Sequence, residues 1–140
     1  MSDSRPSDCP FCCLPATRIL DGNTQALAIA DAFPISAGHT LVILRRHTGS
    51  WFELTNDEVV AVHELLHRMK DRLDENLKPD GYNIGINVGA ASGQTIGHAH
   101  LHLIPRYAGD VADPVGGVRN IISGKGRYPG DGSSTGTMRG

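Results

Sequence analysis

Residues 98–103 read His98-Ala99-His100-Leu101-His102-Leu103. In an extended strand, successive side chains point to opposite faces. The alternation therefore sets three imidazoles on one face and turns Ala99, Leu101 and Leu103 toward a core. Imidazoles buried without partners are costly, so a chain that lines up three must give them ligands, hydrogen bonds or solvent. With 7 histidines in 140 residues, composition alone does not produce such a row. A solvated strand face is the plain alternative. Two chemical readings stand beside it: the row ligates a metal, or it holds a nucleophile between two helpers.

The segment just before the row weighs between these. Gly89-Ala90-Ala91-Ser92-Gly93-Gln94-Thr95 is made mostly of small residues. Backbone N–H groups in such a turn can approach a ligand closely and form an anion-binding concavity. Ser92, Gln94 and Thr95 add side-chain donors. A nest of donors abutting histidines suits a phosphate better than a bare metal ion. Imidazole is also the side chain that is neutral and nucleophilic near pH 7.

The rest of the chain predicts one α+β domain, an antiparallel β-meander with one long packed helix. Residues 1–8 read as a loose arm, 9–123 as the domain, and 124–140 as a disordered Gly/Ser-rich tail. Within 17–31 a hairpin is expected, with Asp21-Gly22-Asn23 as its turn. His39 to Leu44 is β-branched and apolar enough for a strand. Thr55-Asn56-Asp57-Glu58 forms a capping box. Val59, Val62, Leu66, Met69, Leu73 and Leu77 then recur at helical spacing on one buried face. Tyr82 to Val88 and His98 to Ile104 supply two more strands, for the order β-β-β-α-β-β.

Composition excludes some functions. The formal net charge of −2 argues against a nucleic-acid partner, which would call for many cations. No apolar run reaches the roughly 18 residues of a membrane helix, so no membrane partner is expected. The polar start, Met1 to Pro10, is not a secretory signal. Three cysteines lie within Cys9-Pro10-Phe11-Cys12-Cys13. Such clustering is unlike a disulfide framework and fits a cytoplasmic metal or redox motif.

Several blocks, in order, resemble the histidine triad (HIT) family of nucleotide hydrolases and transferases. Gly93 to Arg106 is similar to that family's H-x-H-x-H signature with its preceding loop. Ala37 to Ile43, Arg45-Arg46-His47 and Asn87-Val88-Gly89 are similar to its upstream blocks. The resemblance implies that His100 is the nucleophile, attacking a nucleotide α-phosphorus to form a nucleotidyl-histidine that water hydrolyses. It implies that His102 and the backbone of Gln94 and Thr95 hold the α-phosphate, within a loop that includes Ser92 and Gly93. Asn87 would contact the same region. Asp31, beside Ala32, would bind the ribose, and Ile29 and Phe33 would wall the base. His39 would support the triad from behind, and His98 would orient the site or protonate the leaving group. Some members hold a structural zinc, and here Cys9, Cys12, His47 and His98 would ligate it; in that case His98 is structural. No organic cofactor is expected. A homodimer acting on a purine nucleotide or a dinucleoside polyphosphate is implied, with Arg106 and Arg119 on the distal phosphates. A nucleoside phosphoramidate is the second substrate class.

Two other readings compete. His63-Glu64-Leu65-Leu66-His67 matches the H-E-x-x-H pattern of zinc proteases and lies on the expected helix. The pattern needs a third ligand and a cleft, and an ordinary amphipathic helix satisfies it easily, so His63 and His67 are read as surface residues. A non-catalytic nucleotide-binding protein is the other alternative, though a pure binder has little use for a nucleophile. Lys125 and Arg127 form a mildly basic patch, read as solvated surface.

Overall fold

The computed structural model describes residues 8–130 of the chain. The arm over residues 1–7 and the tail beyond 130 lie outside the described residues.

The capping box forms as its residues dictate. Thr55 accepts a hydrogen bond from Glu58 N, and Glu58 returns one to Thr55 N. The helix that follows, α1 (Asn56–Leu77), ends where Lys78 takes a left-handed conformation. Its buried stripe is Glu58, Ala61, Val62, Leu65, Met69 and Leu73. Leu65 is fully buried, while Leu66 is only partly so and Leu77 is 42% exposed. A stripe of i, i+4 steps along a straight helix favours Leu65 over its neighbour. His63 and His67 are exposed, as expected.

Five strands form one antiparallel sheet: β1 (Ile19–Gly22), β2 (Ala26–Ala30), β3 (Thr40–Leu44), β4 (Gly81–Ile86) and β5 (His100–Arg106). The order is β1-β2-β3-β5-β4, so β5 lies between β3 and β4. The first hairpin differs from the expected one. Asp21 and Gly22 belong to β1, and the turn is built by Asn23, whose Oδ1 accepts from Gln25 N and Ala26 N. Asp21 instead pairs with Arg68 of α1.

Both faces of the sheet are covered. Ala26, Ala28, Val42, Leu44, Leu101 and Leu103 pack with the helix stripe. On the other face Ile29, Leu41 and Ile43 are covered by Phe11, Leu14, Ile19 and Leu27. All five residues of β3 are buried as a result. Pairing of Leu41 with His102 and of Ile43 with His100 puts those two imidazoles beside this second cluster.

The chain divides into two compact units between Arg106 and Tyr107. In the second unit Arg119 donates to the carbonyls of Lys125 and Gly126 and lies over the ring of Tyr128. Arg127 pairs with Asp113. Residues 124–130 thus carry specific contacts. No helix among the described residues is long and apolar enough to cross a membrane.

Candidate functional site

The histidine row divides as β5 begins. The strand starts at His100, because Ala99 N donates to Thr48 O and not to the sheet. His98 therefore leaves the shared face. Its ring has no exposed surface, its Nε2 donates to Leu44 O at 2.8 Å, and its Nδ1 lone pair faces Cys9 Sγ at 3.4 Å and Cys12 Sγ at 3.5 Å. His98, expected either to orient the site or protonate the leaving group, or to be structural as a zinc ligand, is fully buried and does not line the cavity that holds His100 and His102. What it lends the neighbouring site is its carbonyl, which accepts from His100 Nδ1 at 2.7 Å.

That bond assigns the tautomer of His100. Nδ1 carries the proton, so Nε2 on the far side of the ring has a lone pair. His100 and His102 have ring centroids 5.2 Å apart. A chain of donors fixes His102 as well. Ile35 N donates to His39 Nδ1 at 3.3 Å, so His39 carries its proton on Nε2 and gives it to His102 Nδ1 at 2.9 Å. His102 is left with Nε2–H as a donor. Burial pushes the pKa values of His39 and His102 below the ordinary histidine range, which keeps this neutral relay intact. Asp31 Oδ2 lies 3.4 Å from His39 Nε2, while its Oδ1 accepts from Phe33 N. His39 itself is 4% exposed, so it positions His102 from behind.

His100 and His102 line a cavity of about 500 Å³ together with Asp31, Ala32, Phe33, Asn87, Gly93 and Thr95. Three expected contacts do not line it. Ile29 is fully buried beneath Phe11 and Leu14, and its cross-strand partner Leu41 reaches the cavity instead. Ser92 spends its hydroxyl on the carbonyls of Val88 and Gly89. Gln94 braces the loop: its Oε1 accepts from Gly89 N, its Nε2 donates to Gly49 O and Ile96 O, and its own N–H donates to Gly89 O. Thr95 lines the cavity, and its amide makes no hydrogen bond among the described residues. Gly89 and Gly93 take φ of +89° and +95°, which a side chain would resist.

Sequence reasoning missed Pro10, Phe11, Leu14, Arg18, Leu41 and Ile96, all of which line the cavity. Arg18 donates through Nη2 to Ala30 O at 3.0 Å, and its other N–H groups are uncommitted. The one readable signal was Phe11, an aromatic enclosed by the Cys9 and Cys12 thiols.

Cys9, Cys12, His47 and His98 bring ligand atoms within 4.8 Å of one another. His47 Nδ1 is 3.2 Å from both Cys12 Sγ and His98 Nδ1. A tetrahedral zinc ion with ordinary Zn–S and Zn–N lengths has ligand-to-ligand edges of about 3.3–3.8 Å, so these spacings fit it. The hydrogen bond from His98 Nε2 to a carbonyl is the support that a metal-bound imidazole requires. The three cysteines are free thiols, and Cys13 is exposed. Among the described residues the only other such group is Asp31, His39 and His102, already joined in the relay. No third ligand lies with His63 and His67 among the described residues.

The HIT domain model matches residues 15–109, the span that carries the relay and most of the cavity lining. The chain belongs to the HIT family. A HIT-like protein of Mycoplasma genitalium is 37% identical over 76% of this chain and 79% of its own. Adenylylsulfatase HINT3 of Arabidopsis thaliana is 31% identical over 78% of this chain, which spans 57% of that longer protein. A zinc-bound histidine triad protein from Mycobacterium smegmatis superposes with a TM-score of 0.67, at 37% identity over 76% of this chain and 80% of that one. This α+β architecture is the fold of these HIT neighbours.

Proposed function

We propose that the protein hydrolyses nucleotides at the α-phosphate through a nucleotidyl-histidine on His100. The observation that carries this reading is the 2.7 Å bond from His100 Nδ1–H to the His98 carbonyl, which leaves Nε2 as a lone pair on a cavity of nucleotide size. Nε2 attacks phosphorus, and the bond to the leaving group breaks with its electron pair, the departing amine of a phosphoramidate taking up a proton from solvent water. Water then attacks the same phosphorus, the P–N bond breaks, and the mononucleotide leaves. His102 Nε2–H and the Thr95 amide donate to the phosphoryl oxygens, where charge shifts during transfer. Asn87 sits at the same end, and Asp31 is placed to accept from ribose hydroxyls.

The leaving group decides between two substrate classes. Arg106, expected on the distal phosphates of a dinucleoside polyphosphate, lies at the opposite end of β5, about 20 Å from His100 at strand rise. Its Nη1 donates to Asn83 Oδ1. Among the described residues Arg18 is the one guanidinium that lines the cavity, which the Asp31 carboxylate lines as well. So little positive charge favours a small leaving group over a run of phosphates. A nucleoside phosphoramidate is therefore the preferred class, and the relative named as an adenylylsulfatase is in keeping with it.

Cys9, Cys12, His47 and His98 would hold a structural zinc ion, whose chemistry when bound is to tie the N-terminal turn to β3 and β5. The zinc-bound relative supports this. A homodimer is supported by the free edge of β4, where Ile84 is 49% exposed. The free thiols are in keeping with a cytoplasmic location.

The test compares wild type with His100→Asn on adenosine 5′-phosphoramidate and diadenosine polyphosphates. Both activities should vanish in the variant with AMP affinity kept, and wild type should prefer the phosphoramidate. Near-normal turnover by His100→Asn would sink the reaction scheme. A preference for the polyphosphate would return the leaving-group assignment to the first class.

A further inference from the structure

Phe11 connects the thiol cluster to the nucleophile. It lies between Cys9 and Cys12, in a turn closed by a 3.1 Å bond from Cys12 N to Cys9 O. Its ring meets His100 edge-on, with centroids 5.1 Å apart and planes at 71°. It meets His98 the same way, at 5.8 Å and 86°. Both thiols of the turn face the His98 ring. His100 is therefore bounded by two groups that the cluster carries: the carbonyl of His98, which takes its Nδ1 proton, and the ring of Phe11.

A neutral imidazole can flip about its last torsion, and its two tautomers compete. A flipped His100 would lose its bond to the carbonyl and turn Nε2 away from the cavity. The Phe11 ring packs edge-on against the imidazole at a centroid distance of 5.1 Å, a contact that such a flip would have to break. We propose that Phe11 is a positioning residue for His100: the Cys9–Cys12 turn holds its ring against the imidazole, so that closure of the thiol cluster sets the rotamer and tautomer of the nucleophile. The kinetic side of this inference rests on the reading of His100 as the nucleophile, while its structural side does not.

The experiment uses the full chain with its metal content measured throughout. Nitrogen-15 NMR of the His100 ring reports tautomer and flipping, and kcat and KM are taken on adenosine 5′-phosphoramidate. Wild type should show one Nδ1–H tautomer. Phe11→Ala should keep its metal, show mixed tautomers, and lose about threefold to tenfold in kcat, the scale of one edge-to-face ring contact. Phe11→Tyr keeps the ring and should restore both. Phe11→Leu, which keeps apolar volume without a ring edge, is read in the same way if Phe11→Ala fails to fold. Removing metal from wild type with a chelator should reproduce the Phe11→Ala spectrum. A single Nδ1–H tautomer and unchanged kcat in a ring-less variant would overturn the proposal, and an unaltered spectrum after chelation would overturn its link to the cluster. If wild type fails to turn over the phosphoramidate while the spectra change as stated, the positioning role stands and the reaction assignment falls.

Discussion

Replacing His39 by phenylalanine removes two hydrogen bonds, only one of them to a cavity-lining residue, and leaves every cavity-lining side chain in place. His39 Nε2 is the donor that occupies His102 Nδ1 at 2.9 Å and so keeps the other proton of His102 on Nε2. Phenylalanine fills the same buried space without that donor. Ile35 N loses a 3.3 Å bond, but Ile35 is 74% exposed and water can replace the acceptor. Asp31 keeps its bond from Phe33 N. Stability should therefore change by less than about 1 kcal/mol. The effect falls on His102. A buried neutral hydrogen bond is worth about 1 kcal/mol net, so the preference for its Nε2–H tautomer weakens by about that much. Since 1.4 kcal/mol is tenfold in rate, kcat should drop about fivefold to tenfold. His102→Phe removes the donor outright and should cost on the order of 10²–10³. Steady-state kinetics on adenosine 5′-phosphoramidate, with AMP affinity by calorimetry and thermal melts as controls, would rank the two. If His39→Phe stays within twofold of wild type, or falls as far as His102→Phe, the relay is not how His102 is oriented.

Two further outcomes concern stability. Glu58 is 3% exposed and accepts from both Arg46 and Thr55 N, and the Arg46 guanidinium holds its carboxyl below the usual range. Glu58→Ala should cost about 2 kcal/mol from the lost cap and the lost buried acceptor, lowering Tm by roughly 6–10 °C. Glu58→Gln keeps the cap and should cost about half as much; equal losses in the two variants would show that the cap contributes nothing. The depressed pKa values of His39 and His102 mean that the unfolded chain binds more protons than the folded one. Stability is then fully present above the ordinary histidine value near 6.5 and lost as pH falls through the folded values. Urea midpoints should decline between pH 7 and 5, and more shallowly in His39→Phe; equal slopes in the two proteins would count against the burial of a neutral His39.

The fold was legible where local chemistry and tertiary packing agree. Thr55 and Glu58 fixed the helix start, because a capping box is complete within four residues. The alternation of Leu101 and Leu103 with histidine fixed the buried face of β5. Asp21-Gly22 misled because Asp21 has a partner on α1 in Arg68, and a turn preference worth little gives way to an ion pair that tethers the strand. The place of β5 between β3 and β4 could not be read locally, since it depends on β5 pairing with the distant β3 as well as with β4.

The site shows the same division more sharply. A donor-rich loop looks alike in sequence whether its polar side chains face a ligand or hold the loop together. Ser92 and Gln94 do the second, because Ser and Gln side chains meet nearby backbone groups before any ligand arrives. Thr95 and Ile96 of this stretch line the cavity, and neither amide donates within the described residues. Ile29 and Leu41 are cross-strand partners, and the one that reaches the cavity is decided by where Phe11 and Leu14 settle. That in turn is decided by the Cys9 and Cys12 thiols meeting His47 and His98, residues from three distant parts of the chain. The histidine row looked like one device because a strand pattern was carried one residue pair too far. Ending the strand at His100 makes it two, with His98 given to the thiols and His100 and His102 to the cavity. His98 is the residue that both devices share: its ring faces the thiols, and its carbonyl takes the Nδ1 proton of His100 and so sets which nitrogen of that ring keeps a lone pair.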